Sequence, residues 1–280
     1  MPELPEVETI ARCLHEHTAG KKIADVFVFS PGMLKCEETF FARRLLGAEI
    51  KKVLRRAKLL IFELDSGYYL VFHLKMTGRV LYSRTGDVSA EKAHIGFMLE
   101  DGSLLSFLDQ RKFGYCALFS AKGLESWDFY ADLGPEPLQM SEQEFIRIFS
   151  KRKARIKGLL LDQKTIAGIG NIYADEALFA AGIPPDAPAG SLGEKHLTEL
   201  FCSLKKVLQK AIDAGGSTFR DYIDASGNPG RFQEQFAVYG RGGKTCPKCS
   251  TRLESMKVAG RTSTYCPHCQ CREDTVNDRG

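Results

Sequence analysis

The spacing of apolar positions changes along the chain. After Pro5, the residues Val7, Ile10, Ala11 and Leu14 recur at helical intervals, and Glu6 and Glu8 occupy the first turn, where the helix dipole favours a carboxylate. This predicts a short amphipathic helix entered from a Pro-containing arm. From about Ile23 to Phe119 the pattern becomes that of strands. Residues 23–29, 59–62, 68–74, 95–99 and 104–108 are β-branched, aliphatic or aromatic, and the turns Asp65-Ser66-Gly67 and Glu100-Asp101-Gly102-Ser103 separate neighbours. Many short strands joined by Gly-containing turns predict a β-sandwich or barrel.

Residues 133–138, Leu-Gly-Pro-Glu-Pro-Leu, read as a linker, because two prolines stiffen the chain and exclude helix. Helical signals dominate from there to about Ala214. Ser141 and Glu144 are spaced as a capping box. Ile156, Leu159, Leu160 and Gln163 continue a helix, Gly168-Ile-Gly-Asn171 breaks it, residues 173–181 resume it, and Gly182-Ile-Pro-Pro185 stops it. A longer helix is predicted over 192–214. Residues 215–235 are polar and rich in Gly, Ser and Asp, and a loop of that length inside a compact protein is often functional or mobile.

The chain has 280 residues, room for two domains and a small appended module. No run approaches ~20 apolar residues, so no membrane span is expected. The N-terminus lacks the basic and apolar regions of a signal peptide, which points to an intracellular, cytoplasmic protein of the bacterial type. Disulfides are rare in that compartment, so the nine cysteines need another account. Cys13, Cys36, Cys116 and Cys202 are scattered. The others crowd the C-terminal region as Cys246-Pro-Lys-Cys249, then Cys266-Pro-His-Cys269, with Cys271 beyond. Two CxxC knuckles at this separation form a tetrahedral thiolate cage, which predicts one structural Zn²⁺ held by Cys246, Cys249, Cys266 and Cys269. A redox pair or an iron–sulfur cluster is the alternative.

Net charge is only +4, but cations cluster. Residues 151–157, Lys-Arg-Lys-Ala-Arg-Ile-Lys, hold five; Lys51, Lys52, Arg55, Arg56 and Lys58 form a second group, and further cations thread the cysteine region. Such clusters suit a polyanion touching several parts of the chain, with solvated surface as the alternative. The Gly168–Asn171 turn opens a helix, where backbone amides attract phosphate, although most glycine turns are only turns. Lys75-Met76-Thr77-Gly78 and Arg111-Lys112-Phe113-Gly114 each follow a strand. Their Met and Phe could wedge into a base stack or simply pack in the core.

In order along the chain, Pro2-Glu-Leu-Pro-Glu-Val-Glu-Thr9, Lys58, His73-Leu-Lys-Met-Thr-Gly78, Asp109-Gln-Arg-Lys-Phe-Gly114, residues 133–138, Leu161-Asp-Gln163, Gly168-Ile-Gly-Asn-Ile-Tyr173, Tyr239-Gly-Arg241 and the cysteine module resemble the formamidopyrimidine-DNA glycosylases, the Fpg branch of the Fpg/Nei family. The resemblance covers nearly the whole chain. It implies an α+β multidomain protein. A catalytic β-sandwich domain with a flanking helix (1–132) and the linker would precede a helix-two-turn-helix domain with a lesion-recognition loop (139–240) and a β-hairpin zinc finger (241–275). Damaged double-stranded DNA, bound by a monomer in the cleft between domains, would be the partner.

The resemblance also implies roles. Once Met1 is removed, the Pro2 amine would attack the sugar of the damaged nucleotide, Glu3 would protonate that sugar, and Lys58 and Arg261 would complete the catalytic set. Met76, Arg111 and Phe113 would fill the place of the extruded base. His94, Lys153, Lys157, Asn171 and Tyr239 would contact DNA, and Ser217, Thr218 and Arg220 would read the lesion. Excision of 8-oxoguanine and formamidopyrimidines through an imine, followed by β,δ-elimination, would be the reaction. An endonuclease VIII-like enzyme for oxidised pyrimidines and a non-catalytic zinc-dependent DNA-binding protein are the alternatives. The chain departs from the family pattern at Gln110, where proline is common, and at Lys75, where glycine is frequent; both flank the wedge.

Overall fold

The computed structural model describes residues 1–84, 93–218 and 225–271. The chain divides into two compact units, one of residues 1–132 with 212–233, the other of residues 133–211 with the remainder. The described residues 212–218 and 225–233, which the resemblance placed with the helical domain, therefore cluster with the sandwich.

The first unit begins with α1 (Leu4–Thr18), whose Val7, Ile10, Ala11 and Leu14 are buried as their spacing requires. Two antiparallel four-stranded sheets follow. One has the order β1 (Ile23–Val28), β6 (Ile95–Leu99), β7 (Leu104–Asp109), β5 (Gly78–Ser83); the other has β2 (Ile50–Arg56), β3 (Leu59–Leu64), β4 (Tyr68–His73), β8 (Tyr115–Ser120). Edge-to-face rings join them: Phe72 of β4 lies 5.3 Å from Phe107 and 6.0 Å from Phe97 of the opposite sheet. This is a sandwich core. Three of these strands, β2, β5 and β8, are not among the five that sequence pattern singled out. β2 in particular reads as a cationic cluster, because Lys51, Lys52 and Leu54 face solvent while only Ile50 and Val53 are buried. A helix unforeseen in the strand region, α2 (Glu38–Leu45), starts where the Glu37 carboxylate accepts the Thr39 and Phe40 N–H groups. Two short helices, α3 (Ala121–Glu125) and α4 (Asp128–Ala131), close the unit's N-terminal part.

The second unit holds α5 (Glu142–Phe149), α6 (Ile156–Leu161), α7 (Asn171–Ala180) and most of α8 (Glu194–Asp213), then the hairpin β9 (Glu254–Val258) and β10 (Arg261–Tyr265). Ser141 caps α5 by accepting the Glu144 N–H at 3.2 Å. Gln163 does not continue α6 as its spacing predicts. The helix ends at Leu161, and the Gln163 amide ties the turn instead, donating to the carbonyls of Leu161 and Ile169 and accepting the Gly168 N–H, each at 2.9 Å. Among the described residues no helix is long and apolar enough to cross a membrane.

Candidate active site and zinc centre

In the first unit the N-terminus is pinned at the head of α1. Met1 is exposed, whereas Pro2 and Glu3 are buried. Glu3 is the N-cap and forms a capping box with Glu6, its N–H donating to Glu6 Oε2 at 2.9 Å. The other Glu6 oxygen accepts the N–H and hydroxyl of Ser217 at 2.8 and 3.1 Å. One buried carboxylate thus joins the terminus to the start of the polar loop. Sequence reasoning assigned Glu6 only to the helix dipole; no local pattern signals a partner more than two hundred residues away.

The loop's two ends are stitched together. Thr218 N–H donates to Gln233 Oε1 at 2.7 Å, and Gly230 N–H donates to the Thr218 hydroxyl at 2.8 Å. Gly230 must be glycine, since a Cβ there would meet the Gly216 carbonyl oxygen at 2.3 Å. Arg220, expected in the lesion loop, lies outside the described residues.

Lys58 sits in the two-residue β2–β3 turn, with Ala57 in the left-handed region at φ 53°. That turn is tied to α1. Glu8 accepts from Arg55 Nε at 2.8 Å, and Arg55 Nη1 donates to the Ala57 carbonyl at 3.1 Å. Burial pushes the Glu8 carboxyl up, but Arg55 and Arg12 outweigh it and hold its pKa below the ordinary value. The bridge therefore stabilises the fold above the usual carboxylate range, and its contribution is lost as pH falls through the lowered pKa. Glu8→Gln is expected to cost about 1 kcal/mol at pH 7. The gap in thermal midpoint from the unmodified protein should close in acid, read by circular dichroism at pH 7 and pH 3. Lys58 also bears on His73, which pairs with Leu59 in the sheet. Burial, then the charges of Lys75 and Lys58, lower the His73 pKa to about 3, so the imidazole is neutral and accepts the Lys75 N–H at 3.1 Å.

Met76 and Phe113 are among the exposed large hydrophobics, 38% and 56% accessible, so neither is core. The Arg111 guanidinium lies 4.7 Å from the Phe113 ring centroid. His94 is half-buried, with Nδ1 2.9 Å from the Ser30 hydroxyl and Nε2 3.0 Å from the Asp109 carbonyl; a proton on Nε2 satisfies both contacts. It lines an open cavity of about 670 Å³ with Arg79 and Lys112.

In the second unit Lys153 is exposed just before α6. Lys157, expected among the DNA contacts, is not a surface cation. It is 0% exposed, forms an ion pair with Asp175 of α7 at 2.7 Å and donates to the Ser263 hydroxyl and Thr262 carbonyl of β10. That expectation is corrected: the charge lies inside the unit and bolts α6 and α7 to the hairpin. Burial raises the Asp175 pKa to about 6, and Lys157 opposes the shift. Thr264 N–H donates to Asp175 as well, at 3.3 Å. Asn171 spends one amide hydrogen on the Thr262 carbonyl at 3.1 Å, beside Arg261, which is exposed at the start of β10. Glu176, also unforeseen, accepts the N–H groups of Ala237, Val238 and Tyr239 and so sets the backbone of Tyr239. A signal for both acids exists: Ile172 through Phe179 are all buried, and two carboxylates inside an apolar helix need partners.

The four knuckle cysteines come together, with ligand atoms all within 4.8 Å of one another. Sγ–Sγ separations are 3.9 Å for Cys246–Cys269 and 3.5 Å for Cys249–Cys266, close to the roughly 3.8 Å edge of a tetrahedron with 2.3 Å Zn–S bonds. Backbone N–H groups of Lys248 and Cys269 donate to the Cys246 and Cys266 sulfurs at 3.4 Å. The site fits one structural zinc, with four sulfurs leaving no position for water. His268 and Cys271 are exposed and outside the cluster.

Three family models match in series: "Formamidopyrimidine-DNA glycosylase N-terminal domain" over residues 1–116, "Formamidopyrimidine-DNA glycosylase H2TH domain" over 133–222, and "Zinc finger found in FPG and IleRS" over 243–271. The formamidopyrimidine-DNA glycosylase of Desulfitobacterium hafniense is 42% identical over 92% of this chain and 96% of its own. That of Bacillus subtilis is 41% identical over 92% and 95%. Lactococcus lactis Fpg in complex with abasic-site DNA superposes with a TM-score of 0.89 at 37% identity, covering 96% of this chain and all of the other. The same protein with DNA containing an oxidised pyrimidine gives 0.88 at 36% identity, covering 97% of this chain and all of the other. With its sandwich, two-turn helical motif and four-thiolate centre in one order, the chain belongs to the formamidopyrimidine-DNA glycosylase family of DNA repair enzymes.

Proposed function

We propose that this chain is a bifunctional glycosylase and abasic-site lyase that removes oxidised purines from double-stranded DNA through an imine on Pro2. The observation that carries the reading is the Glu6 carboxylate, which holds Glu3 with one oxygen and Ser217 with the other. It supports the reading because the residue next to Pro2 and the start of the proposed lesion loop share one carboxylate.

With Met1 removed, the neutral Pro2 amine attacks C1′ of the damaged nucleotide. The N–C1′ bond forms as the glycosidic bond breaks, and the leaving base takes the N–H proton of the ammonium so formed, which restores the lone pair on nitrogen. Glu3 gives a proton to the ring oxygen as the amine lone pair opens the sugar, producing a cationic imine. That cation acidifies the C2′ hydrogen; its loss expels the 3′ phosphate, and a second elimination expels the 5′ phosphate. Lys58, Asn171 (through its second amide hydrogen) and Arg261 hold phosphates around the lesion. His94, Lys153 and Tyr239 contact the duplex further out. Met76, Arg111 and Phe113 occupy the vacancy, offsetting a flipping cost of a few kcal/mol. Ser217, Thr218 and Arg220 read the flipped base. Zinc supplies only the rigidity of the hairpin that carries Arg261.

Borohydride tests the reading. Reduction during turnover on a duplex containing 8-oxoguanine is expected to yield a stable protein–DNA adduct that maps to the N-terminal peptide. An adduct on a lysine, or none, counts against it. The panel includes oxidised pyrimidines, because the Lactococcus lactis relative was solved with one. Faster trapping there than on any purine lesion would favour the endonuclease VIII-like alternative.

A further inference from the structure

We infer that Thr77 and Asp109 form a clasp that fixes the two wedge loops to each other, making both positioning residues for base extrusion. The inference rests on the wedge role proposed above for Met76, Arg111 and Phe113.

The two loops leave one sheet side by side, since Gly78 at the start of β5 pairs with Asp109 at the end of β7. Each carries a lysine in the left-handed region, Lys75 at φ 51° and Lys112 at φ 53°, a conformation that persists only where surroundings over-determine it. His73 holds Lys75, whose N–H donates to its Nδ1 at 3.1 Å, and Asp109 holds the Lys112 loop and ties Thr77 to it. Asp109 is 1% exposed. Its Oδ1 accepts the Thr77 hydroxyl and the Arg111 N–H, the latter at 3.1 Å, and its Oδ2 accepts the Gly114 N–H at 2.6 Å. Arg111 N–H also reaches the Thr77 hydroxyl at 3.2 Å. The Asp109 carbonyl accepts the Lys112 N–H at 3.1 Å and meets His94 Nε2. Gly114 has no slack, for a Cβ there would touch Asp109 Oδ2 and Phe107 at 3.0 Å.

The loop bearing Phe113 is thus tied at both ends to one carboxylate, and the loop bearing Met76 is joined to that carboxylate through one hydroxyl. A wedge that enters a base stack must hold its parts within a fraction of an ångström, or the vacancy is filled poorly and the base returns. The clasp therefore acts when an intact base is expelled from the duplex and has little to do once the site is abasic.

Thr77→Val removes the hydroxyl and keeps the shape. Single-turnover excision from a duplex with 8-oxoguanine opposite cytosine is expected to slow about tenfold. Strand cleavage at a preformed abasic site should change less than about twofold, a split that general loss of fold would not produce. Thr77→Ser should restore excision, and Asp109→Asn should show the same split as Thr77→Val. Equal slowing on both duplexes, no slowing on either, or failure of Thr77→Ser to rescue overturns the clasp. An unmodified protein inert on both duplexes would instead overturn the parent reading, and the clasp with it.

Discussion

Protein that retains Met1 is expected to lose both base release and strand cleavage, by at least about a thousandfold, while still binding lesion duplex. An amide nitrogen has its lone pair delocalised into the carbonyl and cannot attack C1′, whereas the free secondary amine can. The variant is unusually clean because Met1 is exposed and Pro2 is buried, so retention leaves the capping box and the Ser217 contact undisturbed. Intact-mass analysis sorts the two forms, gel assays read excision and cleavage, and fluorescence anisotropy reads affinity. Pro2→Gly is a harsher companion, since it keeps an amine but frees the backbone that the ring holds. Full activity in a preparation shown to be entirely Met1-retained would remove Pro2 as the nucleophile and shift attention to Lys58, the buried amine in the β2–β3 turn.

What is legible in the sequence follows from which interactions are local. The α1 stripe, the strand pairs around 65–67 and 100–103, and the two CxxC knuckles depend on neighbours within a few residues, and the structure has them. Lys157 shows the limit. In the run 151–157 it looks like one more surface cation, yet it falls on the inward side of α6, where Ile156, Leu159 and Leu160 are also buried. Only the apposition of α7 reveals Asp175 as its partner. Gln163 is the same case for a neutral group: its spacing suits the helix, but its amide is worth more joining the end of α6 to the glycine turn, with one bond to Leu161 and two to the turn. Glu6 and Asp109 are legible as members of motifs and illegible as nodes, because their partners, Ser217 and Thr77, lie on other segments. The residues proposed for chemistry are thus recognised through order along the chain, and those that hold them in place through packing.

Cys266→Ser is expected to cost the protein its zinc, its hairpin and most of its activity together. The hairpin cannot stand on apolar burial. Its cluster consists of Phe179, Val238, Cys246, Leu253 and Cys266, two of them metal ligands, with Cys249 and Cys269 packed alongside. Structural zinc sites supply about 10–16 kcal/mol in comparable small modules, far more than these few side chains. Release of the metal would free β10, and with it the Ser263 and Thr262 groups that satisfy Lys157 and the Thr264 N–H that satisfies Asp175. Leaving buried polar groups of the Lys157–Asp175 pair without these partners costs about 1–3 kcal/mol, so the damage spreads to α6 and α7. The sandwich has its own aromatic core and should keep its cooperative transition. Metal content by a chromogenic chelator should fall from one equivalent to near zero. Amide exchange should rise over residues 243–271 and in α7 but not in β3 or β4. Excision should drop at least about a hundredfold, because Arg261 is no longer presented. A Cys266→Ser protein that kept its metal would mean that Cys271 or His268 had moved in as the fourth ligand, and activity retained without metal would deny the hairpin any part in gripping the lesion.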